Sequence, residues 1–407
     1  MRFYYEKNDS YRMYDTETTK FTTVSKVPYD KNIYYVFEGY ASDEGVLRFI
    51  NDFGRWVEEV KSETKIDYFK LKSHEVAIPM MCKFMCHRLN ECDEIDVTEA
   101  QWMEKCNNSG IQLMLQKGKN ECYGYDFKAF YLSMMGKNDL HLDIPIKCGK
   151  EQTLKELDYK NLKVGMYHVK ITSDDKRFLF AYSADNVYTN ITLYHAFKCK
   201  QSGMNVTIEL IQDDKPNAYI YGTLAKDGIH KSGYLFQNLY DKLIQLKISY
   251  PKNKLVKFIC SSIWGHICRF NVKYYSLDKV IDDDIDCTMD KENKNADYWI
   301  RNFDGDMYEL VSIKRPYKYN VARIKPFLLS KGQVITANVA SLYIDDVVRV
   351  HTDGIVFNKK HDDVMTKFKT YPQLIAEEKT SGLIDWQSVN SYYNFTTKES
   401  HGKYKAL

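Results

Sequence analysis

The chain has 407 residues, a hydrophobic content of 44% and a formal net charge of +3 at pH 7. This length allows two or three domains with sizeable cores, and the composition is that of a globular protein. The weak net charge excludes a chain that is basic throughout, so a nucleic-acid surface would have to come from local clusters. One basic cluster could form a DNA groove or, equally, a solvated basic face. It consists of Lys314, Arg315, Lys318, Arg323 and Lys325.

The cysteines are scattered and include no CxxC pair. The pattern most like a metal site is Cys82, Cys86, His87 and Cys92, which we interpret as buried helix thiols, with metal binding as the weaker alternative. Nothing indicates a disulfide framework, which fits a reducing compartment. The N-terminus has no apolar signal-peptide core and the chain has no run of 18 apolar residues, so we expect a cytoplasmic protein without a membrane segment.

The N-terminal part is predicted to be a small α/β unit. A short strand over 11–14 runs into Asp15 and Glu17, and two carboxylates two positions apart on a strand point to the same face. Such a pair can hold a divalent metal ion. Further on, we predict a strand over 32–40 and an amphipathic helix over 45–60.

Two carboxylates later in the chain are predicted to lie at strand ends. The stretch YDFKAFYLS (125–133) places Asp126 at the end of a strand. The stretch VVRVHTDGIVF (347–357) predicts two strands joined by a tight turn that carries Asp353.

A helix rich in lysine is predicted between these two stretches. A first helix is predicted over 233–250, and a second begins near Pro251. Lys254, Lys257, Ser261 and Gly265 fall on one face of this second helix. Lysine binds triphosphate oxygens as a compact point charge. A carboxylate, a lysine helix and a hairpin carboxylate, in this order, indicate a two-metal site for phosphoryl or nucleotidyl transfer.

These three stretches resemble motifs A, B and C of family B DNA polymerases, whose usual forms are DxxSLYPS, KxxxNSxYG and YxDTDS. The branch they resemble is the protein-primed one of small phages, linear plasmids and virophages. The resemblance covers the chain from about Met13 to about Trp386. It implies an α/β (α+β) fold, a right-hand polymerase palm and fingers behind an N-terminal reduced exonuclease-like (RNase H-like) domain.

The resemblance also implies the activity and its residues. The chain would be a DNA-directed DNA polymerase that acts on a DNA template-primer and dNTPs with two Mg²⁺ (or Mn²⁺) ions. Asp126 and Asp353 would be the catalytic, metal-binding pair. Tyr131 would exclude a 2′-hydroxyl, and Lys257 would bind the triphosphate with help from Lys247 or Lys254. The nucleotide-binding residues would be Tyr131, Lys257, Lys254, Ser261 and Phe127.

Motif C and the link before motif A depart from the family pattern. His351 replaces an acidic residue and Gly354 replaces serine. We interpret His351 as a neutral hydrogen-bonding side chain, with metal ligation as the alternative. Residues 107–110 resemble the family's YxGG link without its tyrosine, and Gly110 is expected to make its tight backbone turn.

The exonuclease motifs depart further. Asp15 and Glu17 resemble the first motif, DxE, whereas in the second Leu71 replaces asparagine and Glu75 is the acidic residue that remains. The third motif has no room before the polymerase part begins. We therefore predict that Asp15, Glu17 and Glu75 are a relic and that proofreading is lost.

The resemblance divides the chain into five segments: 1–100, a reduced 3′–5′ exonuclease-like domain; 101–133, the palm start with motif A; 134–232, an insertion like the terminal-protein region; 233–266, the fingers; and 267–407, the palm with motif C, a small insertion and a short C-terminal region. The first insertion implies a terminal protein as priming partner. From its own residues we predict an α/β fold with strands over 165–171, 178–182 and 206–211. In the last segment we expect a helix over 326–344 under the palm sheet, a solvated acidic turn over 282–286, and a loose KxY-like element at 403–405 before a short or missing thumb.

Two alternatives remain beside the polymerase. One is a catalytically reduced relative that binds nucleic acid or a replication partner as a structural subunit, which the altered motifs favour. The other is a nuclease built on Asp15, Glu17 and Glu75. One observation argues against both alternatives. The four residues that would carry the polymerase chemistry are all present together: Asp126, Tyr131, Lys257 and Asp353.

Overall fold

The computed structural model describes residues 2–7, 10–26, 33–35, 42–48, 50–51, 88–106, 109–251, 254–290, 293, 295–304, 307–361 and 376–403. The chain forms two compact units, one from Met1–Cys86 with Asn238–His266 and one from His87–Gln237 with Ile267–Leu407. No described helix combines the length and the apolar character that a bilayer crossing requires.

The first unit begins with a sheet of four strands in the order β3-β2-β1-β4. Its strands are β1 Arg2–Lys7, β2 Ser10–Asp15, β3 Lys20–Val24 and β4 Ile33–Tyr35. Strand β1 lies at the centre, antiparallel to β2 and parallel to β4, and buries Phe3 and Tyr4. The mixed α/β character predicted for this part is present in the described residues.

The strand predicted over 11–14 is confirmed as β2, but it ends at Asp15, and Glu17 lies in the turn that follows. The backbone N–H of Glu17 donates to Asp15 Oδ1 over 2.9 Å, a local bond that turns the chain toward β3. The expectation that both carboxylates share one strand face is therefore wrong.

Two further predictions for this unit are only partly described. The strand predicted over 32–40 is present at Ile33–Tyr35. The helix predicted over 45–60 is present at 43–48 and 50–51. The rest of both predictions lies outside the described residues.

The second unit begins with four elements around motif A: α1 Val97–Lys105, β5 Gln112–Met114, β6 Gly118–Phe127 and α2 Phe130–Gly136. Asp96 caps α1, because its carboxylate accepts a hydrogen bond of 2.7 Å from the N–H of Glu99. The short helix α2 follows β6 after only two residues, so the predicted aspartate at a strand end is confirmed: Asp126 is the penultimate residue of β6.

The segment 134–232 folds around its own apolar core, as predicted for an α/β insertion. Strands β7 Asp143–Pro145 and β13 Ile229–Lys231 pair at its base. Between them lie β8 Lys150–Gln152, β9 Val164–Ser173, β10 Val187–Thr189, α3 Asn190–Gln201, β11 Val206–Leu210 and β12 Ala218–Gly222. Strand β9 is the centre of this sheet and pairs with β10, β11 and β12.

The predicted strands over 165–171 and 206–211 are confirmed by β9 and β11, whereas the strand predicted over 178–182 is wrong. That stretch is irregular, and its aromatic residues Phe178 and Phe180 stack on each other inside the core of the insertion. An apolar run indicates burial, and here burial does not involve strand pairing.

The lysine-rich region forms the two helices predicted for it, α4 Gly233–Ser249 and α5 Lys254–Ile267. The predicted face of α5 is confirmed where it is described. Lys257, Ser261 and Gly265 are exposed, while Ile259 and Ile263 are buried. This spacing is the ordinary pattern of an amphipathic helix.

A small sheet follows, with strand order β14-β17-β16-β15. It consists of β14 Val272–Ser276, β15 Cys287–Thr288, β16 Tyr298–Asp304 and β17 Met307–Ser312, with α6 Leu277–Asp282 after the first strand. The predicted acidic turn is confirmed, since Asp282, Asp283, Asp284 and Asp286 are all exposed at the end of α6.

The largest sheet of the second unit has seven strands in the order β22-β21-β20-β6-β19-β18-β5. Its later elements are α7 Lys325–Ser341, β18 Val347–His351, β19 Gly354–Phe357, β20 Ala376–Ser388, β21 Ser391–Asn394 and β22 Glu399–His401. Helix α7 packs against β18 and β19, which confirms the helix predicted over 326–344 under this sheet. Short 3₁₀ helices lie at Asn138–Leu140, Ala225–Asp227, Asn320–Ile324 and Ile344–Asp346.

The basic cluster at 314–325 is neither a continuous groove nor a continuous solvated face. Arg323 is 1% exposed and forms a two-point ion pair with Glu99 over 2.8 and 2.9 Å. Burial also lowers the pKa of Lys325. Lys314, Arg315 and Lys318 are exposed. The spacing of basic residues could not reveal this division, because the partner of Arg323 comes from α1.

Candidate active site

The two strand-end carboxylates of the second unit are brought together by the pairing of β6 with the β18–β19 hairpin. Tyr125 pairs with Ile355 in antiparallel register. The next residue of β6 is Asp126, and the residue before Ile355 is Gly354, which follows the turn at Thr352 and Asp353. The predicted hairpin with Asp353 in its turn is confirmed, and Asp126 lies beside that turn.

A pocket of about 190 Å³ opens here, lined by Gly124, Tyr125, Asp126, Arg349, His351, Asp353, Gly354, Ile355 and Val356. The register places Asp126 and His351 on the same side of the sheet, because Gly124 pairs with Val356 and His351 pairs with Gly354. Both aspartates are half-buried, so their carboxylates face the pocket without being sealed in the core.

Tyr131 lies near the second carboxylate. Burial raises the pKa of Tyr131 above its usual value, and the negative charge of Asp353 raises it further. Phe127 is buried and its ring is stacked on Phe130 at 5.2 Å between centroids. A side chain on Gly332 of α7 would lie 3.1 Å from the Phe130 ring and 3.3 Å from the Tyr131 ring. Gly332 therefore leaves the space in which these aromatic rings pack.

The turn that carries Asp353 has an unusual backbone. Thr352 has a φ of 61°, a left-handed conformation that is uncommon for a β-branched residue. Its N–H donates to Ile111 O over 2.8 Å, and its carbonyl accepts a 2.8 Å hydrogen bond from Thr336 Oγ1 on α7. A side chain on Gly110 would come within 2.9 Å of Thr352 Cα. Two segments distant in sequence thus hold the turn in place.

These positioning contacts were largely missed by sequence reasoning. Gly110 was expected to supply a tight backbone turn, but it is not among the glycines with positive φ. Its role is close approach to Thr352. Nothing in the local sequence of Thr336 points to its bond with Thr352.

His351 is half-buried, and its pKa is lowered by burial and by the positive charge of Arg349. Its side chain also hydrogen-bonds Asn390. A lowered pKa keeps the imidazole neutral at pH 7. This agrees with the interpretation of a neutral hydrogen-bonding residue.

The donor set at the pocket fits a hard divalent cation with few protein ligands. The described residues hold no group of three His, Cys, Asp or Glu side chains placed to ligate one ion. Mg²⁺ is commonly held by one or two carboxylates, with water and substrate phosphates completing its shell. Asp126 and Asp353 meet that requirement.

The remaining predicted nucleotide-binding residues belong to the first unit. Lys257 and Ser261 are exposed on α5, which begins at Lys254, and the side chain of Lys254 lies outside the described residues. The structure thus gathers four predicted residues in the second unit: Asp126, Phe127, Tyr131 and Asp353.

The relic exonuclease residues are described only in part. Asp15 Oδ2 pairs with Arg2 Nε over 3.3 Å, and Glu17 is exposed. The hydrogen bond from the N–H of Glu17, with a smaller contribution from Arg2, lowers the pKa of Asp15. Glu75 lies outside the described residues.

Other predicted features also lie partly outside the described residues. Of the possible metal group, Cys82, Cys86 and His87 are not described, and Cys92 is buried, with burial raising its pKa to about 11. This supports the buried-thiol interpretation for Cys92, but its predicted helical position is wrong, because Cys92 lies in a bend. Of the KxY-like element, only Lys403 is described.

Comparison with solved structures places this fold beside a DNA polymerase. The chain is similar to phi29 DNA polymerase complexed with single-stranded DNA, with a TM-score of 0.55, 11% identity and coverage of 82% of this chain and 56% of that one. It is also similar to the phi29 ternary complex with primer-template DNA and incoming nucleotides, with a TM-score of 0.55, 10% identity and coverage of 86% and 60%. A family B DNA polymerase from the archaeon Pyrobaculum calidifontis matches with a TM-score of only 0.39, 9% identity and coverage of 91% and 41%.

The sequence matches no protein-family model and no curated protein. The chain spans 56–60% of the length of the phi29 structures. At such identity the similarity concerns the fold alone. Taken with the strand-end carboxylates, it shows that this chain has a DNA polymerase-like fold of mixed helices and sheets.

Proposed function

We propose that the chain is a DNA-directed DNA polymerase. The observation that carries this proposal is the meeting of Asp126 and Asp353 at one pocket, with Asp126 near the end of β6 and Asp353 in the turn that leads into the adjacent strand β19. Two carboxylates in this arrangement suit nucleotidyl transfer with divalent metal ions. The similarity in fold to phi29 DNA polymerase, solved with primer-template DNA and incoming nucleotides, supports DNA and dNTPs as the partners.

The reaction joins the 3′-oxygen of a primer to the α-phosphorus of a dNTP and breaks the bond to pyrophosphate. Two divalent ions, when bound, would supply activation of the attacking oxygen and charge stabilisation of the leaving group. Asp126 and Asp353 would hold these ions. Tyr131, which lies close enough to Asp353 to feel its charge, would restrict the space at the sugar and favour deoxyribose, and exposed Lys257 would bind the triphosphate.

The proposal extends to initiation and proofreading. The insertion at 134–232 has its own sheet and core, which suits a module that contacts a terminal protein and DNA. Proofreading would be lost, since Asp15 is engaged locally by Arg2 and by the N–H of Glu17. Initiation on a protein hydroxyl would use the same carboxylate pair as elongation.

Primer extension tests the proposal. The assay uses a short primed DNA template, dNTPs and Mg²⁺ or Mn²⁺, and compares the unmodified chain with Asp353→Ala. The matched control is Asp283→Ala, which removes an exposed carboxylate from the acidic turn. We expect extension by the unmodified chain and the control, and none by Asp353→Ala. Absence of extension with both metals would refute the enzymatic proposal.

A second candidate is a polymerase-like subunit that binds nucleic acid without catalysis. The observation in its favour is that His351, a neutral side chain, occupies the acidic position of motif C in the pocket. Tight binding of primed DNA together with no extension under either metal would favour this candidate.

A further inference from the structure

Arg349 introduces a positive charge into the carboxylate pocket. It pairs with Val356 on β19, which places it on the same side of the sheet as His351 and Asp126. Arg349 lines the pocket together with both aspartates. In the motif C pattern, YxDTDS, this position is a tyrosine. Arg349 therefore puts a positively charged side chain where the pattern has an uncharged one.

The guanidinium is held from two sides. Its Nε donates a 2.6 Å hydrogen bond to Val389 O in the turn between β20 and β21. Its central carbon lies 5.0 Å from the ring centroid of Trp386, which is 2% exposed. The next residue of the same turn, Asn390, hydrogen-bonds His351. The turn therefore holds the side chains of both Arg349 and His351.

Arg349 lacks an anionic partner in the part of the chain that the structure describes. Among those residues it forms no ion pair, and only its Nε has an acceptor, which leaves the two terminal nitrogens for another group. The side chain is half-buried, and burial lowers its pKa. A partly desolvated cation without a counter-ion is costly, and an incoming anion would remove that cost.

We propose that Arg349 binds a phosphate group in this pocket. A planar guanidinium with two unused nitrogens matches phosphate geometry. The inference rests on the proposed polymerase function, because that function brings two phosphate sources to the carboxylates: the backbone of the primer strand and the triphosphate of the incoming dNTP. Both sources present the same chemistry to the arginine.

Binding measurements that need no catalysis test the proposal and separate the two sources. One follows a fluorescent primed duplex without nucleotide, and the other a fluorescent dNTP in Ca²⁺. The variants are Arg349→Gln, Arg349→Lys and Arg349→Met, the last of which keeps an apolar stem over Trp386. The control is Arg301→Gln, which removes an exposed guanidinium paired with Glu309.

We expect Arg349→Gln and Arg349→Met to weaken one of the two affinities about tenfold, Arg349→Lys to weaken it less, and Arg301→Gln to change it less than about twofold. Loss of duplex affinity alone, with a shallower salt dependence, assigns the site to the primer phosphate. Loss of dNTP affinity alone assigns it to the triphosphate.

Two outcomes keep this inference separate from the polymerase proposal. Unchanged affinities in folded Arg349→Met and Arg349→Gln would overturn the phosphate site and leave Arg349 as a packing partner of Trp386, whatever primer extension shows. Conversely, the unmodified chain could fail to extend a primer while the Arg349 variants still lose affinity for phosphate. That result would support the phosphate site and refute the proposed polymerase activity.

Discussion

The two carboxylate pairs of this chain differ in their surroundings. Asp15 and Glu17 are close in sequence, but a turn separates them, and Asp15 is bonded to Arg2 and to the N–H of Glu17. Asp126 and Asp353 are far apart in sequence, and sheet pairing brings them to one pocket. Two carboxylates that are adjacent in sequence therefore do not by themselves form a metal site. What matters is whether the fold presents both carboxylates to a common space.

The largest effect should come from neutralising one member of each pair. We expect Asp126→Asn to reduce primer extension at least about a thousandfold, because one of the two carboxylates at the pocket loses its charge. Asp15→Asn should leave extension unchanged within about twofold. Quantified extension of a labelled primer in Mg²⁺ gives both rates.

Digestion of labelled single-stranded DNA gives the complementary measurement for this comparison. The unmodified chain and Asp15→Asn should degrade it equally slowly. Digestion by the unmodified chain that disappears in Asp15→Asn would show that Asp15 belongs to a working nuclease site.

Two glycines beside the Asp353 turn, Gly110 and Gly354, differ in the space around them. Gly110→Ala would place a methyl group 2.9 Å from Thr352 Cα, so the turn must shift. At Gly354 an added carbon would lie 3.5 Å from its nearest neighbour, His351 O, which is ordinary contact. We expect Gly110→Ala to lower kcat about a hundredfold, since small misplacements of catalytic groups are that costly.

Gly354→Ala is the matched control, and its kcat should remain within about threefold of the unmodified chain. Single-turnover extension and thermal unfolding should be measured together, so that loss of activity is compared at equal folded fraction. Equal activity of both variants would mean that the approach of Gly110 to Thr352 does not position Asp353.

The local parts of the site could be predicted from the sequence. Two apolar runs on either side of Thr352-Asp353 predict a hairpin, and the 3.6-residue period predicts the exposed face with Lys257 and Ser261. The packing contacts between distant segments could not be predicted from the sequence. The partner of Arg323 is Glu99, and the burial of Phe178 and Phe180 in an irregular stretch depends on the insertion's core. The periodic pattern of apolar residues within a segment carries no information about which distant residues it contacts.

The smallest effect we expect concerns the hydroxyl of Thr336, whose local sequence gives no sign of a role. Thr336→Val keeps the shape of the buried side chain but removes the donor to Thr352 O, leaving that carbonyl without the 2.8 Å bond. We expect kcat to fall about tenfold and stability to fall by about 1 kcal/mol. Thr336→Ser retains the hydroxyl and should restore most of the rate, although it loses the methyl group. If Thr336→Val is instead as fast as the unmodified chain while Thr336→Ser is slow at equal stability, packing by the methyl group, and not the hydrogen bond, holds the left-handed Thr352.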